Sequence, residues 1–346
     1  MHIHILGVGN LGRYIAYSLV RGADRPKVTL LFHKKELHRE WKKSEGTIQM
    51  IQCQMLARPG FENKPLNHFK VEDIPYPGPR APPIKHLIVT TKAPATAGAV
   101  HSIKGRLSKD SQILFVHNGL GAIDEVTDKV FPDPKTRPYY WAGVCEAGIY
   151  GHGPFQVVKA GEGPLVFGHS GARSCEVPDD RDNSFDLDFL HTLLATHPLD
   201  ARLERPERLV YKQLRKLVVN SVINPLTAMY RCKNGEAFTR KEGQQLRDAL
   251  VEEAGAVVRA LLATRDDVAV KADFWGDGLR NYVEQIAYLT RENKSSMLQD
   301  IEAGRKTEID YINGYLVRQA KRLRLPCEHH ERIVQQIKEL EANDAL

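Results

Sequence analysis

Short apolar runs separated by helix-like stretches dominate the first half of the chain. HIHILGV (2–8) predicts a strand, LGRYIAYSLVRG (11–22) a helix and KVTLLFH (27–33) a second strand. HLIVTTK (86–92) and ILFVHNG (113–119) are further aliphatic runs, each closing on polar residues. Strands alternating with helices predict an α/β fold with a doubly wound, Rossmann-type parallel sheet. The Pro-rich stretch IPYPGPRAPP (74–83) predicts a loop leading into the 86–92 strand. FQVVKAGEGPLVFG predicts a hairpin within 154–168, and the polar, acidic segment 171–188 a surface excursion.

After about residue 205 the pattern changes. Strand-like runs stop and helical periodicity takes over. The stretch 244–264 places Leu246, Leu250, Ala254, Val257 and Leu261 on one stripe, and 327–344 reads as a charged amphipathic helix. RKLVVNSVINPLTA (215–228) reads as a helix that breaks or kinks at Asn224, because Pro225 disfavours α geometry in the residue before it. Thr307 and Asp310 fit a T-x-x-D capping box that opens a helix at Glu308. The expected organisation is a nucleotide-binding domain over 1–203 and an all-helical domain over 204–346.

Composition narrows the function. The 346 residues contain no run of 18 or more apolar positions, so no membrane span is expected. A strand that begins directly after Met1 leaves no room for a leader and makes the cytoplasm the expected location. Five scattered cysteines without a CxxC pair argue against a disulfide framework and against a metal site. The net charge of +6 suits a small anionic ligand, and no nucleic-acid-binding signature accompanies it.

GVGNLG, which comprises Gly7, Val8, Gly9, Asn10, Leu11 and Gly12, is a GxGxxG between a strand and a helix, the context that dinucleotide binding requires. Gly7 permits the tight turn, Gly9 the approach of a pyrophosphate, and Gly12 close helix–strand packing. Where an NAD site would place an acidic residue, the second strand ends in His33, Lys34 and Lys35. Positive charge there suits a 2′-phosphate, so NADPH is the expected cofactor. Lys92 and Asn118 fall at the carboxyl ends of predicted strands, the ligand-binding edge of such sheets. Lys216, Asn220 and Asn224 are spaced i, i+4, i+8 and share one helical face, about 12 Å long at 1.5 Å per residue. Buried amides and an ammonium need partners, and a polar substrate provides them. Lys212, one turn earlier, competes for the role of general acid. Ser295 and Ser296 read equally as caps or as local hydrogen-bonding groups, and spacing alone does not make Ser296 or Glu308 functional.

Together, GVGNLG, TTK (90–92), HNGLG (117–121), RKLVVNSVINPLTA, CKNGE (232–236) and SSMLQDI…RKTEIDYINGYL resemble the ketopantoate reductase (2-dehydropantoate 2-reductase) family nearly end to end. The resemblance implies NADPH-dependent reduction of 2-dehydropantoate to (R)-pantoate, on the route to pantothenate and coenzyme A. It puts the catalytic lysine on Lys216, and substrate contacts on Asn118, Lys216, Asn220, Asn224, Asn234 and Ser296. Cofactor contacts fall on Gly7 to Gly12, His33, Lys34, Lys92, Asn118 and Glu308. The implied partner is a small 2-oxo acid, with neither nucleic acid nor membrane, and a homodimer is compatible with it. Two places depart from the family's pattern: His33–Lys34 stands where many relatives carry arginine, and Ala147 where relatives show histidine before Gly148 and Ile149. Two other readings share the fold: a reductase of another small 2-oxo acid, and a non-catalytic NADP(H)-binding regulatory protein.

Overall fold

The computed structural model describes residues 1–21, 25–52, 64–75, 81–170, 186–263, 274 and 277–343. Cys53, Cys175 and most of the expected surface excursion lie outside the described residues. The aliphatic runs become strands buried on both sides, as a parallel sheet covered by helices requires. In order these are β1 (His2–Leu6), α1 (Asn10–Arg21), β2 (Lys27–Phe32), α2 (Lys35–Lys43), β3 (Gln49–Gln52), β4 (Phe69–Asp73), β5 (His86–Val89) and α3 (Ala93–Ser102). They continue with β6 (Gln112–Val116), α4 (Ala122–Lys129), β7 (Tyr139–Cys145), β8 (Gly148–Gly153), β9 (Gln156–Gly161), β10 (Leu165–His169), α5 (Asp188–Ala195) and β11 (Arg202–Leu203).

Eight strands form one sheet in the order β11-β10-β7-β6-β5-β1-β2-β4, with β7 through β4 parallel and β10 antiparallel to β7. The period of two divides its side chains between two cores. Ile3, Ile5, Leu30, Ile88, Leu114 and Val116 pack with Ile15 and Leu19 of α1, whereas Leu6, Leu31, Leu87, Val89, Ile113 and Phe115 pack with Val100 of α3 and Val126 of α4. β1, β2, β5 and β6 each end before their polar tails. Those tails become the loops at the carboxyl edge.

The expected hairpin within 154–168 does not form. β9 pairs instead with β8 and with β3 in a separate three-stranded sheet, while β10 joins β7. The Gly-rich connection accounts for this: Gly163 lies so close to Glu146 that a Cβ there would stand 2.5 Å from its carbonyl carbon, and Glu146 N–H donates to Pro164 O. The chain is thus held against the end of β7 and cannot fold back on β9.

The second half is helical, with α6 (Pro206–Tyr230), α7 (Lys241–Leu262), α8 (Gly278–Leu289), α9 (Ser296–Glu302), α10 (Asn313–Leu323) and α11 (Glu328–Asn343). Its core joins Leu217, Val218, Val222 and Leu226 of α6 to Leu250, Ala254, Val257 and Val258 of α7, Leu316 of α10, and Ile333 and Ile337 of α11. Leu246 and Leu261, expected on the stripe of α7, are only partly buried at its margin. The chain divides into two compact units, residues 1–117 with 122–209 and residues 118–121 with 210–346. One border therefore falls a few residues beyond the expected cut at 203/204. The short insertion 118–121 belongs to the helical unit, which the sequence does not suggest. No helix among the described residues is long and apolar enough to cross a membrane.

Two expectations for this half are corrected. α6 runs unbroken through Pro225. A proline removes the N–H that would bond the carbonyl four residues back, here that of Ser221, and Asn313 Nδ2 donates to that oxygen instead at 2.8 Å. The foreign donor satisfies the helix, so it continues. Thr307 does not open an α-helix at Glu308: its Oγ1 accepts from Ile309 N–H at 3.2 Å and starts a single 3₁₀ turn, Ile309–Tyr311, with α10 beginning only at Asn313.

Candidate active site

In the first unit the glycine turn is held from behind. Gly7 has φ +97°, and a Cβ there would stand 2.4 Å from Thr91 N. A Cβ on Gly12 would stand 2.2 Å from Gly7 O, so helix and turn touch backbone to backbone. Gly9 is the opposite case. Nothing lies within 4 Å of its missing Cβ, and the turn is open at that point. The carbonyls of the turn are tied back: Thr90 Oγ1 donates to Gly7 O at 2.5 Å and Arg13 Nε to Val8 O at 3.0 Å. The first N–H groups of α1, at Asn10, Leu11 and Gly12, have no intrahelical acceptor. An open glycine in front of such N–H groups is a cradle for a pyrophosphate, so these residues fit a nicotinamide dinucleotide.

The same edge carries the remaining cofactor candidates of this unit. His33 and Lys34 are exposed just beyond β2, and Lys34 directly precedes α2. Partial burial, then the neighbouring Lys34 ammonium, hold the His33 imidazole below its usual pKa, so at neutral pH the charge here is carried by the lysines. Lys92 is half-buried immediately before α3. Ala147 is half-buried, and Gly148 and Ile149 lie on β8, whose backbone pairs with β9. Sequence reasoning missed Arg13. Its guanidinium is buried 4.2 Å above the Phe155 ring, donates to Glu40 of α2 at 2.8 Å, and so ties the glycine turn to the element that follows Lys34. Only its place directly after Gly12 hinted at such a role.

The helical unit holds the other candidates. Lys212, Lys216 and Asn220 are half-buried along α6, and Asn224 at the far end of that row is buried. One turn on, the Thr227 and Ser295 hydroxyls share a 2.7 Å hydrogen bond, and Ser295 Oγ accepts from Leu298 N–H as the cap of α9. This divides the serine pair: Ser295 is the structural one, and Ser296 is exposed at the first position of α9. Asn234 is buried, with Nδ2 donating to Thr290 Oγ1 at 2.9 Å, while its Oδ1 is buried without a partner among the described residues. Glu308 is buried and accepts from Asn118 Nδ2 at 3.2 Å. Leu120 N–H donates to Tyr311 O at 2.8 Å, and Gly119, at φ +75°, lies against the same carbonyl. The 118–121 loop is thereby docked on the turn that follows Glu308. Within this unit α6 carries a row of ammonium and carboxamide groups, and Asn234 carries an orphaned buried acceptor. Among the described residues no group of three or more His, Cys, Asp or Glu could hold a metal ion.

Comparison with known proteins gives the family of the chain. The family model described as Ketopantoate reductase PanE/ApbA matches residues 3–171, and its C-terminal counterpart matches residues 208–341. A probable 2-dehydropantoate 2-reductase of Schizosaccharomyces pombe is 29% identical, over 92% of this chain and 90% of its own length. A ketoisovalerate reductase of Beauveria bassiana is 28% identical, over 93% of this chain and 79% of its own. Among solved structures, D-mandelate dehydrogenase with NADH and anilino(oxo)acetate shares the fold, with a TM-score of 0.77 over the whole of both chains at 20% identity. With both family models matched in order along nearly all of its length, the chain belongs to the ketopantoate reductase PanE/ApbA family of oxidoreductases.

Proposed function

We propose that this chain reduces 2-dehydropantoate to (R)-pantoate with NADPH, a step toward pantothenate and coenzyme A. The observation that carries the reading is the row Lys216–Asn220–Asn224 on α6, one ammonium and two carboxamides on a helix that packs Leu217, Val218, Val222 and Leu226 into the core. Such a row matches a ligand with a carboxylate, a carbonyl and a hydroxyl. When bound on the glycine turn, the nicotinamide supplies the hydride.

The protein's own part is positioning and protonation. Lys216 Nζ lies along the carbonyl oxygen of the substrate, opposes the negative charge that develops there and gives it a proton. Asn220, Asn224 and Ser296 orient the carboxylate and the hydroxyl, which turns an encounter into an aligned reaction. Asn234 Oδ1 is the acceptor for the substrate hydroxyl. A buried oxygen left without a donor is costly, so this group rewards a hydroxylated ligand over one that lacks the group.

A second reading is favoured by the relative from Beauveria bassiana. Ketoisovalerate is the same branched 2-oxo acid without the hydroxymethyl group, and the Lys216 row would still serve its carboxylate and carbonyl. NADPH oxidation, followed by absorbance with either acid for wild type and Lys216→Ala, decides between them. Turnover of 2-dehydropantoate at least about tenfold more efficient than of ketoisovalerate, and lost in Lys216→Ala, is the expected result. The reverse preference establishes the second reading. NADPH binding without turnover of any 2-oxo acid leaves the regulatory reading standing.

A further inference from the structure

The row on α6 contains a proline one residue after Asn224, and the helix nonetheless stays regular. The reason lies outside the helix. Ser221 is fully buried, and its carbonyl is the one deprived of a donor by Pro225. Asn313, fully buried at the start of α10, sends Nδ2 to that oxygen at 2.8 Å and also to His330 Nδ1 at 2.9 Å. His330, fully buried on α11, is itself fixed because Nε2 donates to Leu250 O at 3.0 Å. With Nε2 carrying the proton, Nδ1 is an acceptor, and it holds the Asn313 amide with its NH₂ toward Ser221. α11 holds the segment in front of Asn313 at two more points: Glu341 Oε1 accepts from Thr307 N–H at 2.7 Å, and Lys338 Nζ pairs with Asp310 at 2.7 Å.

We propose that Asn313 is a positioning residue for the reaction: its side-chain amide replaces the hydrogen bond that Pro225 removes and so keeps Asn220 and Asn224 in line with Lys216. The catalytic half of this proposal rests on the function proposed above; the structural half does not. Without the amide, the Ser221 carbonyl is buried and unpaired, and the helix relieves it by bending at Pro225, where proline-containing helices bend. A bend there displaces Asn224 relative to Lys216. The device also makes the geometry of the row conditional on a segment that carries Glu308, so the lysine row and the Glu308 turn are fixed by one network.

The test exploits the fact that the missing hydrogen bond can be restored from inside the helix. Pro225→Ala supplies an N–H to Ser221 O and makes the Asn313 amide redundant. Wild type, Asn313→Leu, Pro225→Ala and the double variant are compared by hydrogen exchange over residues 216–230 and by steady-state kinetics. We expect Asn313→Leu to raise exchange in this stretch and to lower kcat at least about tenfold, with KM for NADPH within about twofold. The double variant is expected to regain protection and a kcat within about threefold of Pro225→Ala. Unchanged exchange in Asn313→Leu overturns the proposal whether or not any 2-oxo acid is turned over. Given wild-type turnover, so does a double variant whose protection returns while kcat stays at the level of Asn313→Leu. Absence of turnover in wild type, with the exchange pattern as expected, instead removes the proposed reaction and keeps the Asn313–Ser221 support of α6.

Discussion

Asn118 Nδ2 donates to Glu308 Oε2 across 190 positions of sequence, and both residues belong to the helical unit. One comes from the loop after β6 and the other from the turn before α10. A buried carboxylate needs such donors to satisfy its oxygens. Because each side chain orients the other, the cofactor contacts proposed for them should not add. Asn118→Ala and Glu308→Ala are each expected to weaken NADPH binding about tenfold, and the double variant by clearly less than a hundredfold, a coupling of about 0.5–1.4 kcal/mol. Strict additivity in calorimetric Kd values would show that the contact carries nothing.

Lys216 and Lys212 lie one turn apart on the same side of α6, and the proposed mechanism makes Lys216 the proton donor. Lys216→Ala should lower kcat by at least about a hundredfold, the scale of general acid catalysis, and Lys212→Ala by less than about threefold. If the two losses were exchanged, the acid would be Lys212 and the row would begin one turn earlier.

The three glycines of the turn differ in what they are for. A Cβ on Gly12 meets backbone at 2.2 Å, whereas one on Gly9 meets nothing within 4 Å. Gly12→Ala should therefore lower Tm by about 5 °C or more. Gly9→Ala should keep Tm within about 2 °C yet weaken NADPH at least about tenfold, because its methyl group would stand where the pyrophosphate approaches. A Gly9→Ala variant with unchanged NADPH affinity would mean that no phosphate lies over this turn.

His330 connects the helical support to pH. Burial is the main reason that its pKa is lowered to about 4, against a smaller raising effect from the Leu250 carbonyl and the Glu253 carboxylate. The Glu253 carboxyl is held below its usual range: its own burial opposes this, but hydrogen bonds from His329 and His330 prevail. In the unfolded chain a histidine titrates near 6.5. Between these two values the unfolded state binds the extra proton, so stability falls as pH drops from about 6.5 toward 4 and is level above pH 7. The contribution is of the order of 3 kcal/mol when complete. His330→Gln, which can accept from Asn313 without titrating, should flatten the part of the denaturation midpoint that declines between pH 7 and 5. An identical decline in wild type and variant would assign the acid sensitivity elsewhere, for instance to His4, which burial in the first unit lowers to about 3.

The strands and the lysine row were legible for the same reason: both are periodic, and burial enforces the period. Ile3, Ile5 and Leu6 divide between two cores because successive side chains of a strand point to opposite faces. Lys216, Asn220 and Asn224 follow from the helical repeat alone. What stayed hidden depends on partners far along the chain. A local rule bends the helix before Pro225, and it fails because Asn313, 92 positions from Ser221, supplies the donor. The local glycine pattern predicts a hairpin ending in β10, and it fails because β10 finds an edge on β7. The docking of 118–121 on Tyr311 leaves no periodic trace at all.

Preference for the phosphorylated cofactor should reside in one lysine. The edge beyond β2 offers His33, Lys34 and Lys35, but His33 is held below its usual pKa and contributes little charge at neutral pH. On the helix that follows, Glu40 is paired with Arg13 at 2.8 Å. Lys34 itself is exposed at the end of β2. Lys34→Ala should weaken NADPH about tenfold and leave NADH within about twofold, since only the former carries a 2′-phosphate. His33→Ala should change neither at pH 7.5 and should cost NADPH affinity only at pH values where the imidazole is protonated. Because the contact is solvent-exposed, the advantage of NADPH over NADH should also shrink as salt is raised from 0.05 to about 0.5 M, and less so in Lys34→Ala. A preference that ignores both salt and Lys34 would place the discrimination in the shape of the turn rather than in its charge.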